Sequence, residues 1–220
     1  MNWTFDYFWE VLKGFFPAAL MTLQVTFLGI LVGVGLGIIF ALLRISKNPV
    51  INAPAKIYIF LIRGTPLLLQ LLFIYFGLVH LVSLNRMTSA VIALGIHNGA
   101  YIAEIFRGAI QGVDRGQREA GKSIGMTNMQ IMRRIILPQA FKRAVPPLGN
   151  QFIIALKDSS LASAIAVQEL LLHARQLASA TAMTMEMLAI ASVFYLIMTS
   201  LLTLLANATE KRLGVSDHRA

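Results

Sequence analysis

Apolar runs of about 20 residues recur along the chain, and no other feature constrains its fold as much. A helix rises about 1.5 Å per residue and the hydrocarbon core of a bilayer is about 30 Å thick, so each run is long enough to cross it. Five stretches qualify: Pro17 to Leu43, Tyr58 to Val82, Thr88 to Phe106, Val145 to Val167 and Met187 to Ala206. The chain therefore reads as an all-α, polytopic membrane protein with five transmembrane helices. Of its 220 residues 57% are hydrophobic and 13% charged, too few charges to clothe a soluble core of this size. There is no cysteine, so disulfides and cysteine metal sites are excluded. The start, Met1 to Asp6, lacks the basic region of a signal peptide, and the first apolar run is expected to stay as structure.

Five crossings put the termini on opposite sides, which the basic residues test. One side takes fifteen of the nineteen: Arg44, Lys47, Lys56, Arg63, Arg107, Arg115, Arg118, Lys122, Arg133, Arg134, Lys142, Arg143, Lys211, Arg212 and Arg219. Lys13, Arg86 and Arg175 fall on the other, and Lys157 lies inside a span. Basic residues accumulate on the cytoplasmic face, so the N-terminus is expected outside and the C-terminus in the cytoplasm. In a soluble protein a net charge of +9 would point to nucleic acid; here its one-sided placement reads as topology, with part of it available to a cytoplasmic partner.

Ahead of the first span, Phe5, Phe8, Trp9 and Leu12 share a helical face, which suits a short helix lying in the interface. Gly29, Gly33 and Gly37 give the first span one smooth face for a neighbouring helix. Pro66 should bend the second span, and Gln70, a turn further on, is placed either to satisfy freed backbone or to meet a substrate. Glu104 and Arg107 have the spacing of a same-face pair.

The segment between the third and fourth spans is the most informative. Gly116 to Ser123 spells the phosphate-binding pattern G-x-x-x-x-G-K-[ST], but Asp114 and Arg115 stand where an apolar strand would have to feed the first glycine. Nucleotide binding is therefore not expected. The stretch reads instead as two short helices: Glu119 to Ile124, a turn at Gly125, and a second helix opened by the capping-box spacing of Thr127 and Gln130 and stopped near Pro138. Ile131, Ile135 and Met132 give the second helix an apolar side of the kind that docks in a groove on another protein.

At these residues the chain resembles a known family. Glu119-Ala120-Gly121, Gly125 and Ile135-Ile136-Leu137-Pro138 are similar in order and spacing to the EAA loop of ABC importer permeases, E-A-A-x3-G-x9-I-x-L-P. Gly121 departs from it, standing where the family usually has its second alanine, at a helix cost of about 1 kcal/mol. Arg63-Gly64-Thr65-Pro66, Ala100 to Arg107, Pro146 to Asn150 and Lys157 to Leu161 resemble the polar amino-acid branch, both glutamine-type and cystine-type. The resemblance implies a type I ABC importer permease fold over 1–220 as one transmembrane domain, with a coupling loop at about 111–140. It also implies a bacterial inner-membrane subunit that is not itself an enzyme and needs no cofactor. Its partners would be a second permease subunit (a copy or a paralogue), a cytosolic ABC ATPase dimer, an external solute-binding protein and the amino acid itself. Glu119, Ala120, Gly121, Gly125, Ile135, Leu137 and Pro138 would carry ATPase coupling.

Burying a charge in a bilayer costs at least about 2.5 kcal/mol, so intramembrane ionisable groups should face a cavity or a partner. Lys157 and Asp158, with Ser159 beyond, sit near the middle of the fourth span, and an acceptor such as Asp158 suits a substrate ammonium. The bland alternative is that Lys157 and Asp158 neutralise each other. His97 and Asn98, halfway along the third span, are the next candidates, although a lone histidine among apolar residues more often serves packing. A stand-alone carrier or channel relaying protons through Asp158 and His97 is the competing reading; no internal repeat of the usual carrier kind is evident.

Overall fold

The structure is a computed structural model that describes residues 5–79 and 81–214, with the backbone alone for residues 5–7. Helix α1 runs unbroken from Phe5 to Arg44, 40 residues, or about 60 Å at the standard rise. It thus exceeds the apolar thickness of a bilayer. The expected separate interfacial helix is not formed. Phe8, Trp9 and Leu12 belong to the first turns of α1, and the side chains of Phe5 and Asp6 lie outside the described residues.

The glycine face of α1 packs on α4 (Arg86–Gln111), as the spacing predicts. A Cβ on Gly29 would come within 2.8 Å of Leu94 Cβ, and one on Gly37 within 2.4 Å of Ile102 Cγ2. Gly95 and Gly99 answer from α4, where a Cβ would meet Val32 at 2.5 Å and the Tyr58 hydroxyl at 2.7 Å. Backbones approach this closely only where side chains are missing, and dispersion between them replaces the hydrophobic drive that lipid does not supply.

The second expected span is broken. Asn48 caps α2 (Pro49–Arg63) by accepting from Val50 N at 2.9 Å, and α2 ends at Gly64-Thr65-Pro66. A second rod, α3 (Leu67–Leu72) with a π-turn over Phe73–Gly77, then leaves at 105°. Pro66 supplies the break, as expected, but the result is a corner rather than a kink.

The segment after α4 forms α5 (Arg115–Ser123) and α6 (Asn128–Ile131). It continues through a π-turn, Met132–Ile136, into α7 (Leu137–Asp158). Pro138 does not stop a helix: it occupies the first turn of α7, where the missing N–H costs least. The regular part of the expected fourth span ends at Asp158 and tightens to a 3₁₀ stretch, Ser159–Ile165, so Val145 to Val167 is not one straight helix. Helices α8 (Leu170–Thr181) and α9 (Thr184–Arg212) complete the described chain.

Three helices, α1, α4 and α9, are long and apolar enough to cross a membrane, and the α2–α3 pair makes a fourth if counted as one broken span. Large apolar side chains remain exposed along α1, α2 and α9, among them Leu20, Phe27, Phe60, Leu196 and Leu204. Such a lateral surface suits lipid rather than water.

Candidate functional site: the intramembrane polar cluster and the EAA segment

Gln70 bridges the corner between α2 and α3. Its Nε2 donates to Ile62 O (2.8 Å), Thr65 O (3.1 Å) and Thr65 Oγ1 (2.9 Å), carbonyls and a hydroxyl released by the break. Its Oε1 can then only accept, so His97 Nδ1, 3.2 Å away, donates to it. This fixes the tautomer of a neutral His97 and leaves its Nε2 without a hydrogen bond among the described residues. Tyr101, one turn on, lies 5.1 Å from the His97 ring and carries the Arg63 guanidinium over its own ring at 5.1 Å. Arg63, which the sequence placed with the loop charges, is thus held against α4 at the corner.

Asn98 faces another side of α4. It is fully enclosed against Gly33, donates to Leu94 O and accepts from Gln151 Nε2 of α7, both at 2.8 Å. Ser159 is likewise buried and donates to Leu156 O. Asp158 is half-buried and makes no hydrogen bond or ion pair among the described residues. Lys157 is exposed and lines a small recess with Ser160, Leu171 and Tyr195. Lys157 and Asp158, neighbours in sequence, form no ion pair with each other. The ion pairs among the described residues are Lys13 with Glu10 and Glu104 with both Arg107 and Arg44. Glu104–Arg107 has the expected same-face geometry, with Arg107 Nε 3.0 Å from each carboxylate oxygen.

Sequence reasoning missed the buried acid that caps α8. Glu169 is 0% exposed, and its carboxylate accepts from Leu171 N (2.9 Å), Leu172 N (2.7 Å) and the Tyr195 hydroxyl (2.8 Å). Thr22 of α1 accepts from Leu170 N at 3.1 Å, so α1, α8 and α9 meet on one network. The available signal was an acid directly before Leu170-Leu171-Leu172, the position of a helix cap. Gln151 was also missed, and its only signal was an amide inside an otherwise apolar stretch.

The EAA segment folds as a turned pair of helices. Asp114 caps α5, Gly125 takes φ +81°, and Thr127 and Gln130 complete the capping box reciprocally. Gly116 to Ser123 is helix rather than a phosphate-binding loop, and no strand precedes it among the described residues. The apolar side of the second helix is spent internally, a correction to the sequence reading: Ile131 is buried, and Ile135 and Met132 pack with it against Ala109, Ile110 and Val113 at the end of α4. Gly121 explains itself here, because a Cβ would meet Ile131 Cγ1 at 2.8 Å and Ile135 Cδ1 at 3.2 Å. Glu119 and Ala120 stay exposed, as do Ile124 (77%) and Met129 (67%) flanking Gly125. Ile135, Leu137 and Pro138 lie at the junction where this pair runs into α7.

A helical bundle with a large apolar lateral surface, enclosed polar pairs and a turned helical pair at one end has the make-up of an integral membrane subunit. The chain belongs to the family described as binding-protein-dependent transport system inner membrane component, whose model matches residues 33–215. It is accordingly a permease subunit of an ABC importer, a non-enzymatic component that works with an ATPase and a solute-binding protein. It is 35% identical over 218 residues to the glutamine transport system permease protein GlnP of Escherichia coli K12, covering 98% of this chain and 100% of that one. It is 40% identical to the L-cystine transport system permease protein TcyB of Bacillus subtilis 168, covering 94% and 88%. A solved amino acid ABC transporter with histidines superposes with a TM-score of 0.91 at 40% identity, covering 96% of this chain and all of the other.

Proposed function

We propose that this chain forms the translocation pathway of a bacterial inner-membrane importer for a polar amino acid and converts the nucleotide cycle of its ATPase partner into alternating access. The observation that carries the reading is the turned pair α5–α6: it is anchored to α4 and α7 by Ile131, Ile135 and Ile136 and offers a partner the exposed Ile124-Gly125 to Met129 tip. A push on that tip is transmitted through packed side chains to the helices that carry His97, Asn98 and Gln151. The relatives named for glutamine and L-cystine support the substrate class.

The bundle is read as five crossings, with α7 and its 3₁₀ extension as the fourth and the α2–α3 corner counted as one. Support comes from where the basic ends gather: Arg44 reaches Glu104 near the end of α4, Arg143 donates to Gly112 O, and the last turns of α9 lie beside Val145 and Gly149. That shared end is the cytoplasmic one, with the N-terminus outside and residues 1–220 as one permease domain. A second copy or a paralogue completes the pathway. In it, His97 Nε2, Asp158 and Lys157 meet the substrate's charged groups, while Gln70, Asn98 and Ser159 hold the helices that present them.

The test is ATP-driven uptake by the complete transporter in proteoliposomes. A β-branched side chain at φ +81° is strongly disfavoured, so Gly125→Val should distort the tip, and Glu119→Ala removes the exposed acid beside it. Each is expected to lower coupled uptake roughly tenfold or more, the scale of a typical coupling energy, with membrane insertion intact. Undiminished uptake in both variants would contradict the reading.

A further inference from the structure

Beside the tip, between the α1–α2 link, the end of α4 and α5, lies a cavity of about 880 Å³. Lys47, Arg115, Arg118 and Lys122 line it, with Glu119 as its one acid. None of the four cations has an ion pair among the described residues. A one-sided topology requires only that basic residues lie on one face of the membrane; it does not require four of them, from two separate segments, to converge on one recess. Like charges gathered around a low-dielectric hollow raise its potential and attract an anion.

We propose that this recess binds a phosphate-bearing anion, in its membrane setting the headgroup of an anionic phospholipid. Two features favour a lipid over a protein surface as occupant. Between the cations the lining is largely apolar, with Ile45, Ile110, Val113 and Met132, and suits the glycerol-ester region beneath a headgroup. The outward face of α2 begins three residues after Lys47 with Val50, 77% exposed, and continues through Ile57 and Phe60, so Lys47 stands where the lipid-facing surface ends. Basic pockets at that depth on the cytoplasmic side are where anionic headgroups concentrate. The inference rests on the reading above that this end of the bundle is cytoplasmic.

The experiment uses the permease with its ATPase subunits in nanodiscs of phosphatidylcholine, with or without phosphatidylglycerol, and counts retained phospholipid by native mass spectrometry. The variant Lys47→Gln/Arg115→Gln/Arg118→Gln is compared with Arg133→Gln/Arg134→Gln/Lys142→Gln, which removes the same charge from exposed positions outside the recess. Retention of phosphatidylglycerol should fall roughly tenfold or more in the first variant only, since each basic group near an anionic surface contributes several-fold in affinity. A second arm titrates inorganic phosphate into complexes in neutral discs and reads thermal stability. A gain that requires the three cations supports the phosphate site and assigns its source to the soluble pool; retention of phosphatidylglycerol without such a gain assigns it to the bilayer. Equal lipid loss in both variants, or loss in neither with no phosphate effect, overturns the proposal. So does a first variant that keeps its lipid and sheds the ATPase, which would make the recess a protein contact. Because retention is counted without transport, a failure here is separate from a failure of coupled uptake.

Discussion

Asn98 and Gln151 spend their polar atoms on each other and on the Leu94 carbonyl, so each depends on the other to stay satisfied. Gln151→Leu leaves Asn98 Oδ1 buried and unpaired, at a cost of about 1–3 kcal/mol, and Asn98→Leu orphans Gln151 similarly. The double substitution removes both partners, so its loss of thermal stability in detergent should be smaller than the sum of the single losses; strict additivity would contradict the pairing. Glu169 obeys the same logic with three donors. Glu169→Gln turns one acceptor toward an N–H as a donor and should destabilise by about 2 kcal/mol, whereas Tyr195→Phe removes one donor and should cost about 1 kcal/mol. A Tyr195→Phe loss that equals or exceeds that of Glu169→Gln in thermal unfolding would count against the cap. Candidate residues were legible where an ionisable group stood inside an apolar run, as with Asp158 and His97. Glu169 was not, because an acid at a span's edge looks like loop until the fold encloses it.

At the scale of elements, Gly121 sets helix propensity against packing. Alanine would gain about 1 kcal/mol in an exposed helix, but its Cβ would sit 2.8 Å from Cγ1 of an Ile131 that is enclosed and cannot swing away. Packing wins, so Gly121→Ala alone should impair coupled uptake, and adding Ile131→Ala, which removes the Cγ1 that the new methyl meets, should restore part of it. An unimpaired single variant would mean that α5 is free to shift. Gly37→Val in α1 meets Ile102 even more closely and should leave little folded protein in the membrane fraction, by several kcal/mol of overpacking. The capping box, the turn at Gly125 and the glycine face were all readable because each depends on local chemistry. The internal use of Ile131 and Ile135 was not, since periodicity identifies an apolar side without naming what it meets. Pro138 misled for a related reason: a π-turn ahead of it moves the chain past the point where a proline would end a helix.

The whole molecule keeps large apolar side chains on its lateral surface, polar pairs inside and basic charge gathered at one end; the first and last were visible in the sequence as composition and placement, whereas the pairs, which need Gln151 and Glu169, were not. The corner at Pro66 and the 3₁₀ ending of α7 were less visible, because run length measures apolarity and is blind to direction. The central claim is that the α5–α6 tip faces the cytoplasm and meets the ATPase. The chain has no cysteine, so Ile124→Cys provides a single label site at that tip. The direct measurement is labelling of this variant with a membrane-impermeant maleimide in right-side-out and inverted vesicles, with and without the ATPase subunits. The account predicts labelling in inverted vesicles alone, suppressed when the ATPase is bound. Labelling in right-side-out vesicles, or labelling that the ATPase leaves unchanged, would contradict it.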